Sequence, residues 1–314
     1  MNDIFCFGDC NVDIITPIDE IPVKGGCSFS SEVSIGAGGS TLNTTAALNN
    51  LKLPVALISK IGNDSFGNLL IDFLNSMQIN TQYIIKSAFP TGLVLGLVAP
   101  DGEKRWIAIR GNAADIHMTK EDIDKLKLPE VLYITGVELV EGKESRETAI
   151  EFARMVSKNG GRVFLDPNIR VPTWELDNEV RNAFDRIMPY VEVLLSNEKE
   201  TQMLGESENL KLSAQSILKK GVDTIWLKLG GKGSAYYTKD CYMEFEPSKV
   251  KVVDTSGAGD AFNAAVIYGN ITGLSPEQTG AFANMYAGYT VMNFGTTQAL
   301  PLWPVVEKMI EKVR

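Results

Sequence analysis

Short apolar or β-branched runs alternate with stretches of helical periodicity along most of the 314 residues, and this alternation limits the fold more than any other feature. The strand candidates are residues 4–8, 55–62, 131–136, 162–166, 191–197 and 224–230. The clearest helices are predicted at 65–78 and 145–160. Because parallel strands need a crossover between them, this order predicts an α/β fold with a mostly parallel central sheet and helices on both faces.

Two segments depart from the alternation and predict a small sheet outside the main layer. Residues 12–34 have no helical periodicity and contain two prolines and two adjacent glycines, while residues 91–111 resemble two strands joined at Pro100, Asp101 and Gly102. Two independent surface hairpins are the alternative interpretation. No internal repeat or low-complexity linker divides the chain, so we expect one domain over residues 1–314.

The composition argues against several classes of function. The net charge is −9, and the basic residues are scattered among acidic ones, so no basic stripe is present to bind nucleic acid or an anionic membrane surface. No run approaches the roughly 20 apolar residues that a membrane span needs. The four cysteines have neither zinc-site spacing nor the density of a disulfide scaffold. We therefore expect a cytoplasmic protein that binds a small molecule.

The run DTSGAGDAF, residues 254–262, places small residues directly before an apolar helix. Small residues at 257–259 let backbone N–H groups approach a ligand closely, and the positive end of the helix favours an anion such as a phosphate. Asp260 then lies in the first helical turn, within reach of that anion. The alternative is that Asp260 only complements the helix dipole.

A second glycine cluster opens another predicted helix at residues 35–51. Gly39 frees the backbone there, and Asn43 lies about one turn into the helix, where its amide offers a donor and an acceptor to a hydroxyl. Upstream, Asn11 and Asp13 are two residues apart and so share one face of a strand. Such groups suit recognition of a polyol, although an Asn/Asp pair after a strand is also typical of a turn.

These two glycine segments resemble the signatures of the PfkB/ribokinase family of small-molecule kinases. The first signature corresponds to GGSTLNTTAALNNLKLPVALISKIGNDSFG and the second to DTSGAGDAFNAAVIYG, and the resemblance extends from about residue 4 to the end. It implies a ribokinase-like fold in which residues 12–34 and 91–111 form a β lid. Asp260 would then take the proton of the attacking hydroxyl, while the amides of Gly257, Ala258 and Gly259 stabilise the phosphoryl charge.

The resemblance also implies the remaining site residues. The sugar would be bound by Asn11, Asp13, Gly39 and Asn43, with Glu138, at the end of a central strand, as a further candidate. The nucleotide ATP would lie near Asn197, Lys228, Gly230, Gly233 and Asn284. In the run SNEKE, Asn197 and Glu200 match a motif that organises Mg²⁺ and its waters, although both could equally cap a helix. A monovalent cation such as K⁺ would involve Asp254 and Gly295.

The expected activity is ATP-dependent phosphorylation of a primary hydroxyl on a neutral pentose or hexose, similar to ribose or fructose. Arg110, at the return of the lid, resembles the arginine of 2-keto-3-deoxygluconate kinases, so a sugar-acid kinase is an alternative, as are a nucleoside kinase and a non-catalytic sugar sensor. The DPNIR loop, residues 166–170, and Trp174 also resemble the fructokinase and 2-keto-3-deoxygluconate kinase branches. A homodimer formed through the lid is a further expectation.

Overall fold

The computed structural model describes residues 4–99, 104–110, 115–169 and 176–314. The strands within these ranges are β1 (Ile4–Phe7), β2 (Asn11–Pro17), β3 (Ser34–Gly38), β4 (Val55–Gly62), β5 (Ile84–Ser87), β6 (Leu93–Val98), β7 (Lys104–Ile109), β8 (Val131–Thr135), β9 (Arg162–Asp166), β10 (Val193–Asn197), β11 (Thr224–Lys228), β12 (Ser234–Tyr237) and β13 (Tyr242–Phe245). The helices are α1 (Ser40–Asn50), α2 (Ser65–Ser76), α3 (Lys120–Asp124), α4 (Val137–Val140), α5 (Lys143–Lys158), α6 (Asn178–Ile187), α7 (Glu198–Gly205), α8 (Leu210–Lys219), α9 (Ala258–Thr272), α10 (Pro276–Thr290) and α11 (Trp303–Val313).

Nine strands form the main sheet in the order β13-β12-β11-β10-β9-β8-β1-β4-β5. The pairs from β11 through to β5 are parallel, and only β12 and β13 join antiparallel at one edge. All six predicted strands belong to this sheet. The α/β prediction with a mostly parallel sheet is therefore confirmed.

Helices cover both faces of the main sheet because its central strands are apolar on both sides. In β1, Ile4 and Cys6 pack into one core cluster, whereas Phe5 and Phe7 pack into the cluster on the opposite face. This alternation follows from the two-residue period of a strand. Helices α1, α9 and α10 contribute to the first cluster, and α5, α6 and α8 to the second.

Four strands form the second, smaller sheet in the order β3-β2-β6-β7, and we call this sheet the lid. Strands β2 and β6 pair in parallel, which joins the two segments directly, so the alternative of two independent hairpins is wrong. Strand β3 starts only at Ser34, where the first predicted segment ends, and continues to Gly38. Gly38 pairs with Asn11 of β2, and a Cβ at Gly38 would collide with the Asp13 carboxylate, so this position favours glycine. Residues 100–103 and Gly111 of the predicted lid lie outside the described residues.

The two faces of the lid differ in what they carry. Val94 and Trp106 face the main sheet, and the Trp106 indole lies over Gly96, where a Cβ would come within 2.6 Å of the ring. The outer face carries apolar side chains, including Ile107 and Ile109.

No helix in the described ranges combines the length and apolarity needed to cross a membrane.

Candidate active site

The lid covers a cavity of about 640 Å³ beside the carboxyl ends of the parallel strands, the edge at which open α/β sheets bind ligands. We call it the acceptor cavity. Five residues predicted to bind the sugar line it: Asn11, Asp13, Gly39, Asn43 and Arg110. The lining residues that were not predicted include Asp9, Ser40, Trp106 and Asn168. The structure therefore brings most of the predicted acceptor residues into one space.

Asp260 lies in the wall of the acceptor cavity, in the first turn of α9, as predicted. Its carboxylate accepts hydrogen bonds from Ser40 Oγ at 2.6 Å and Asn43 Nδ2 at 2.9 Å, both on α1. Burial raises the pKa of Asp260 to about 7, outweighing these two hydrogen bonds, which lower it. A carboxylate with this pKa can accept a proton near neutral pH.

The N-terminus of α9 forms one end of the acceptor cavity. Gly257 caps the helix with φ 73°, a left-handed conformation that glycine adopts without strain. Gly257 and Gly259 line the acceptor cavity, whereas the Ala258 amide donates to the carbonyl of Thr255 at 3.3 Å. The backbone thus exposes Gly257 and Gly259 to the cavity. The Ala258 N–H, which was predicted to stabilise the phosphoryl charge, already donates a hydrogen bond within a turn.

Asp9 organises the floor of the acceptor cavity from the end of β1. Its carboxylate accepts from the backbone N–H groups of Ser40 and Thr41, at 3.1 and 3.0 Å, and so complements the N-terminus of α1. Asn11 Nδ2 also donates to it at 3.2 Å. The buried oxygen Oδ1 of Asn43 has no hydrogen-bond partner in the described ranges.

Arg110 lies at the end of the lid and bridges two carboxylates of the main body. Its guanidinium is 3.4 Å from Asp9 Oδ2 and 3.1 Å from Glu141 Oε2, and its side chain is only 7% exposed. The positive charge is therefore compensated within the protein. This arrangement ties the lid to the main body and leaves Arg110 poorly placed to bind a substrate carboxylate.

Glu138 does not lie at the end of a strand as predicted, because β8 stops at Thr135 and the chain turns into α4. It is buried, is not among the lining residues of the acceptor cavity, and neither carboxyl oxygen has a hydrogen-bond partner in the described ranges. Burial, followed by the charge of Asp9, raises the pKa of Glu138 well above its ordinary value. The structure therefore does not place Glu138 among the residues that line the acceptor cavity.

A second cavity of about 460 Å³ adjoins the first, and Val252, Thr255 and Gly259 line both. We call it the nucleotide cavity. Four predicted nucleotide-binding residues line it: Lys228, Gly230, Gly233 and Asn284. Asn284 is held in the cavity wall, since its Nδ2 donates hydrogen bonds to the carbonyls of Phe245 and Glu246. Gly233 has φ 95°, which favours glycine.

Lys228 connects the nucleotide cavity to a buried polar network. Its Nζ lies 2.9 Å from Asp166 Oδ2 and 3.3 Å from Asn263 Oδ1. Burial alone would lower the pKa of Lys228, but the carboxylates of Asp166 and Glu200 outweigh it and raise the pKa. The Lys228 ammonium group therefore lies beside Gly259, where it can bind a phosphate.

Asn197 and Glu200 form a reciprocal capping box at the start of α7. This is the helix cap that the sequence analysis gave as the alternative to a metal motif. Glu200 Oε2 accepts from Asn197 N at 2.9 Å, and Oε1 accepts from Ile169 N at 3.0 Å, so each oxygen already holds one backbone N–H. Burial and the Asp166 charge raise the pKa of Glu200 to about 7. Neither residue lines either cavity, so any contact with Mg²⁺ would pass through water.

The described residues fit Mg²⁺ as an ion bound mainly by phosphates and water. No group of three or more His, Cys, Asp or Glu side chains in the described ranges could hold a metal ion alone. Mg²⁺ commonly keeps several waters and uses one or two carboxylates with substrate phosphates. For the predicted monovalent site, the structure places Asp254 and Gly295 together, with Gly295 N donating to Asp254 Oδ2 at 3.2 Å.

The residues that sequence reasoning missed act through distant partners. Ser40 lies within the first signature and Asp166 begins the DPNIR run, but neither was assigned a role, and the partners of Asp9, Asp166 and Ser40 lie 31 to 220 residues away. Asn168 belongs to the DPNIR run, whose Pro-Asn pair was a visible turn signal. Arg170 and Trp174 of the same region lie outside the described residues.

Comparisons with known proteins agree with this geometry. The family model described as pfkB family carbohydrate kinase matches residues 1–303. Probable fructokinase-7 from Arabidopsis thaliana is 25% identical over 326 residues, covering 99% of this chain and 93% of the relative. A ribokinase from Thermotoga maritima superimposes with a TM-score of 0.84 at 26% identity, covering 99% of this chain and 100% of the other. A putative ribokinase II from E. coli, in complex with ATP and Mg²⁺, has a TM-score of 0.87 at 23% identity and the same coverage.

Proposed function

We propose, from the premise that this chain belongs to the pfkB family of carbohydrate kinases, that it transfers the γ-phosphoryl group of ATP to a primary hydroxyl of a neutral pentose or hexose. One observation carries the proposal. Asp260, a carboxylate with a pKa of about 7, stands in the acceptor cavity beside the N-terminus of α9, where the two cavities meet. A general base, an anion site and two adjoining binding spaces are what phosphoryl transfer requires.

The chemical step follows from these positions. The hydroxyl oxygen of the sugar attacks the γ-phosphorus and forms a new O–P bond, while the bond from that phosphorus to the β–γ bridging oxygen breaks and ADP leaves. Asp260 accepts the hydroxyl proton, held in place by Ser40 and Asn43. The N–H groups at Gly257 and Gly259 and the Lys228 ammonium stabilise the developing negative charge.

Mg²⁺ bound with the nucleotide would neutralise part of the phosphate charge. We assign its water-mediated contacts to Asn197 and Glu200, which hold the loop after β9 and the start of α7 together. Asp254 and the turn at Gly295 are the residues that we assign to a monovalent cation. The E. coli protein that binds ATP and Mg²⁺ on the same fold supports the nucleotide assignment.

A neutral acceptor is favoured over a sugar acid by the charges around the cavity. Asp9, Asp13 and Asp260 line it, and the one arginine among its lining residues, Arg110, is compensated by Asp9 and Glu141. A substrate carboxylate would therefore need to displace an existing ion pair. The likeness to a fructokinase and a ribokinase supports the same choice. A 2-keto-3-deoxygluconate kinase and a nucleoside kinase are the competing assignments.

The test is a measurement of ADP release with ATP, Mg²⁺ and a panel of ribose, fructose, 2-keto-3-deoxygluconate and adenosine. We expect the highest kcat/KM on ribose or fructose, and a kcat lower by roughly 10²–10⁴ for Asp260→Asn. The highest kcat/KM on the acid or on adenosine would replace the assigned acceptor. ADP release that no acceptor in the panel increases would contradict the kinase assignment and favour a sensor.

We assign the outer face of the lid to a homodimer. Strand register places Ile35, Ile107 and Ile109 on this face, and they are 50%, 51% and 55% exposed. Contiguous apolar surface of this kind marks association sites, and a second copy can cover it through a two-fold axis. Packing there would also stiffen the lid, which closes over the sugar and excludes water.

A further inference from the structure

The loop after β9 carries a side chain that the proposed function has not used. Asn168 lines the acceptor cavity, and its side-chain amide makes no hydrogen bond within the described ranges. Its backbone φ is 43°, a left-handed conformation that is uncommon outside glycine and that asparagine tolerates better than most residues. A polar group held in such a conformation beside a reaction site points to a function.

The backbone of the loop is fixed from several sides at Asn168. Asn168 N donates to Asp166 Oδ1 at 3.0 Å, and the next residue, Ile169, donates its N–H to Glu200 Oε1. On the opposite side Gly136 packs against the Pro167 carbonyl so closely that a Cβ would collide with it. Pre-organised donors of this kind are the ones that stabilise transition-state charge.

Strand order locates Asn168 between the two reactants. In the run β11-β10-β9-β8-β1, the strand β9 lies two strands from β11, which carries Lys228 to the nucleotide, and two from β1, which leads to Asp9 at the acceptor. Neighbouring strands are about 4.8 Å apart, so Asn168 lies roughly 10 Å from either end. This is the region through which the phosphoryl group moves.

The Asp166 carboxylate links Asn168 to the phosphate-binding groups. One oxygen accepts from the Asn168 backbone, and the other accepts from Lys228 Nζ. Lys228 Nζ in turn lies 3.9 Å from the position of a Cβ on Gly259, at the anion end of α9. The Asn168 loop and the Lys228 ammonium are thus anchored on one carboxylate.

We propose that Asn168 is a further catalytic residue: its side-chain amide donates a hydrogen bond to the γ-phosphoryl group, in bound ATP and during transfer. This inference rests on the proposed kinase function. Asp166 and Glu200 are positioning residues for it, since they hold the loop and contact the phosphoryl group only through Asn168 and Lys228.

Two variants separate the side chain from the backbone. Asn168→Gly keeps the left-handed conformation without strain and removes the amide, while Asn168→Asp keeps the shape and replaces the donor by an oxygen that repels phosphate. We expect Asn168→Gly to lower kcat by roughly 10²–10³, the loss typical of one oxyanion donor, with the KM for the sugar changed by less than about 3-fold. Gln78→Gly, an exposed residue with φ 60° after α2, is the matched backbone control and should keep normal kinetics.

A binding measurement tests the contact without any sugar. Calorimetry compares the affinities for ADP and for the β,γ-imido analogue of ATP, both with Mg²⁺. Asn168→Asp should weaken binding of the analogue by about tenfold or more and leave ADP binding unchanged, because one lost or repulsive contact of about 1.4 kcal/mol changes affinity tenfold.

The outcomes are distinct. Equal losses for ADP and the analogue, or a raised KM for the sugar at normal kcat, would overturn the proposal and make Asn168 a general or sugar-binding residue. If the native protein phosphorylates no sugar, the proposed function fails, while the analogue affinities still decide the Asn168 contact. If the native protein is active, Asp260→Asn is inactive and both Asn168 variants are normal, only the Asn168 inference fails.

Discussion

Replacing Asp260 by asparagine should lower activity and raise stability at the same time. The amide cannot accept the hydroxyl proton, so kcat should fall by roughly the 10²–10⁴ that general-base catalysis contributes. The amide is also uncharged, so it avoids the unfavourable burial of a negative charge at this position. The new side chain can still accept from Asn43 and donate to Ser40, since both groups contact the carboxylate in the native protein. Sugar binding should survive.

The size of the stability effect follows from the pKa of Asp260, which is about 7 instead of the ordinary 3.8. Between these values the folded protein binds more protons than the unfolded chain, so native stability falls as pH rises. Asparagine does not titrate and removes this loss. Each pKa unit corresponds to about 1.4 kcal/mol, so from pH 5 to pH 9 the advantage of Asp260→Asn should grow by about 3 kcal/mol.

Urea unfolding followed by circular dichroism at pH 5 and pH 9 measures this difference directly. Asp64→Asn is the matched control. Burial raises the pKa of Asp64, but hydrogen bonds from Thr91 and Gly67 outweigh it and lower the pKa below its ordinary value, so this substitution should destabilise at both pH values. If the stability gap for Asp260→Asn did not grow with pH, the carboxylate would not be held at an elevated pKa and its assignment as a base near neutral pH would be refuted.

Three further substitutions test other parts of the site. Glu200→Gln should raise the Mg²⁺ concentration for half-maximal rate and lower the unfolding free energy by about 1–3 kcal/mol, because one buried N–H loses its acceptor; an unchanged Mg²⁺ titration would leave Glu200 as a helix cap alone. Arg110→Ala, which frees the lid from Asp9, should lower kcat/KM on ribose and fructose by similar factors, and a selective collapse on 2-keto-3-deoxygluconate would argue for a sugar-acid kinase. Ile107→Glu on the outer lid face should yield monomers by light scattering, and an unchanged mass would exclude this face as the dimer interface.

The strands of the main sheet were predictable where both faces are buried. Continuous apolar runs such as β1 and β8 are stable only when they are buried, so they were predicted as strands of a covered sheet. The strands β5, β12 and β13 were not predicted. Each of these three has four residues, includes partly exposed positions and lies at or next to an edge of the sheet. A short, half-exposed run such as Tyr242–Phe245 has no sequence pattern that distinguishes a strand from a loop.

In the candidate site, residues marked by their neighbours in sequence were predictable, and residues defined by distant partners were not. Asp260 could be placed because its glycine neighbours and its helix are adjacent in sequence. Asp9 could not, because its partner Arg110 lies 101 residues away. For Asn197 and Glu200 the sequence offered a metal motif and a helix cap, and the structure forms the cap. The lid was predicted as a sheet, but the β2–β6 pairing that joins its halves involves strands about 80 residues apart.

The two hydrogen bonds on Asp260 span 220 and 217 residues of the chain. Ser40 and Asn43 are synthesised early, whereas Asp260 leaves the ribosome only near the end, and contacts this distant in sequence form late in folding. The same late segment supplies Gly257 and Gly259, so the acceptor cavity itself is complete only when α9 has been added. The protein acquires the ability to consume ATP only when its last sixth is made, so incomplete chains cannot drain the nucleotide pool.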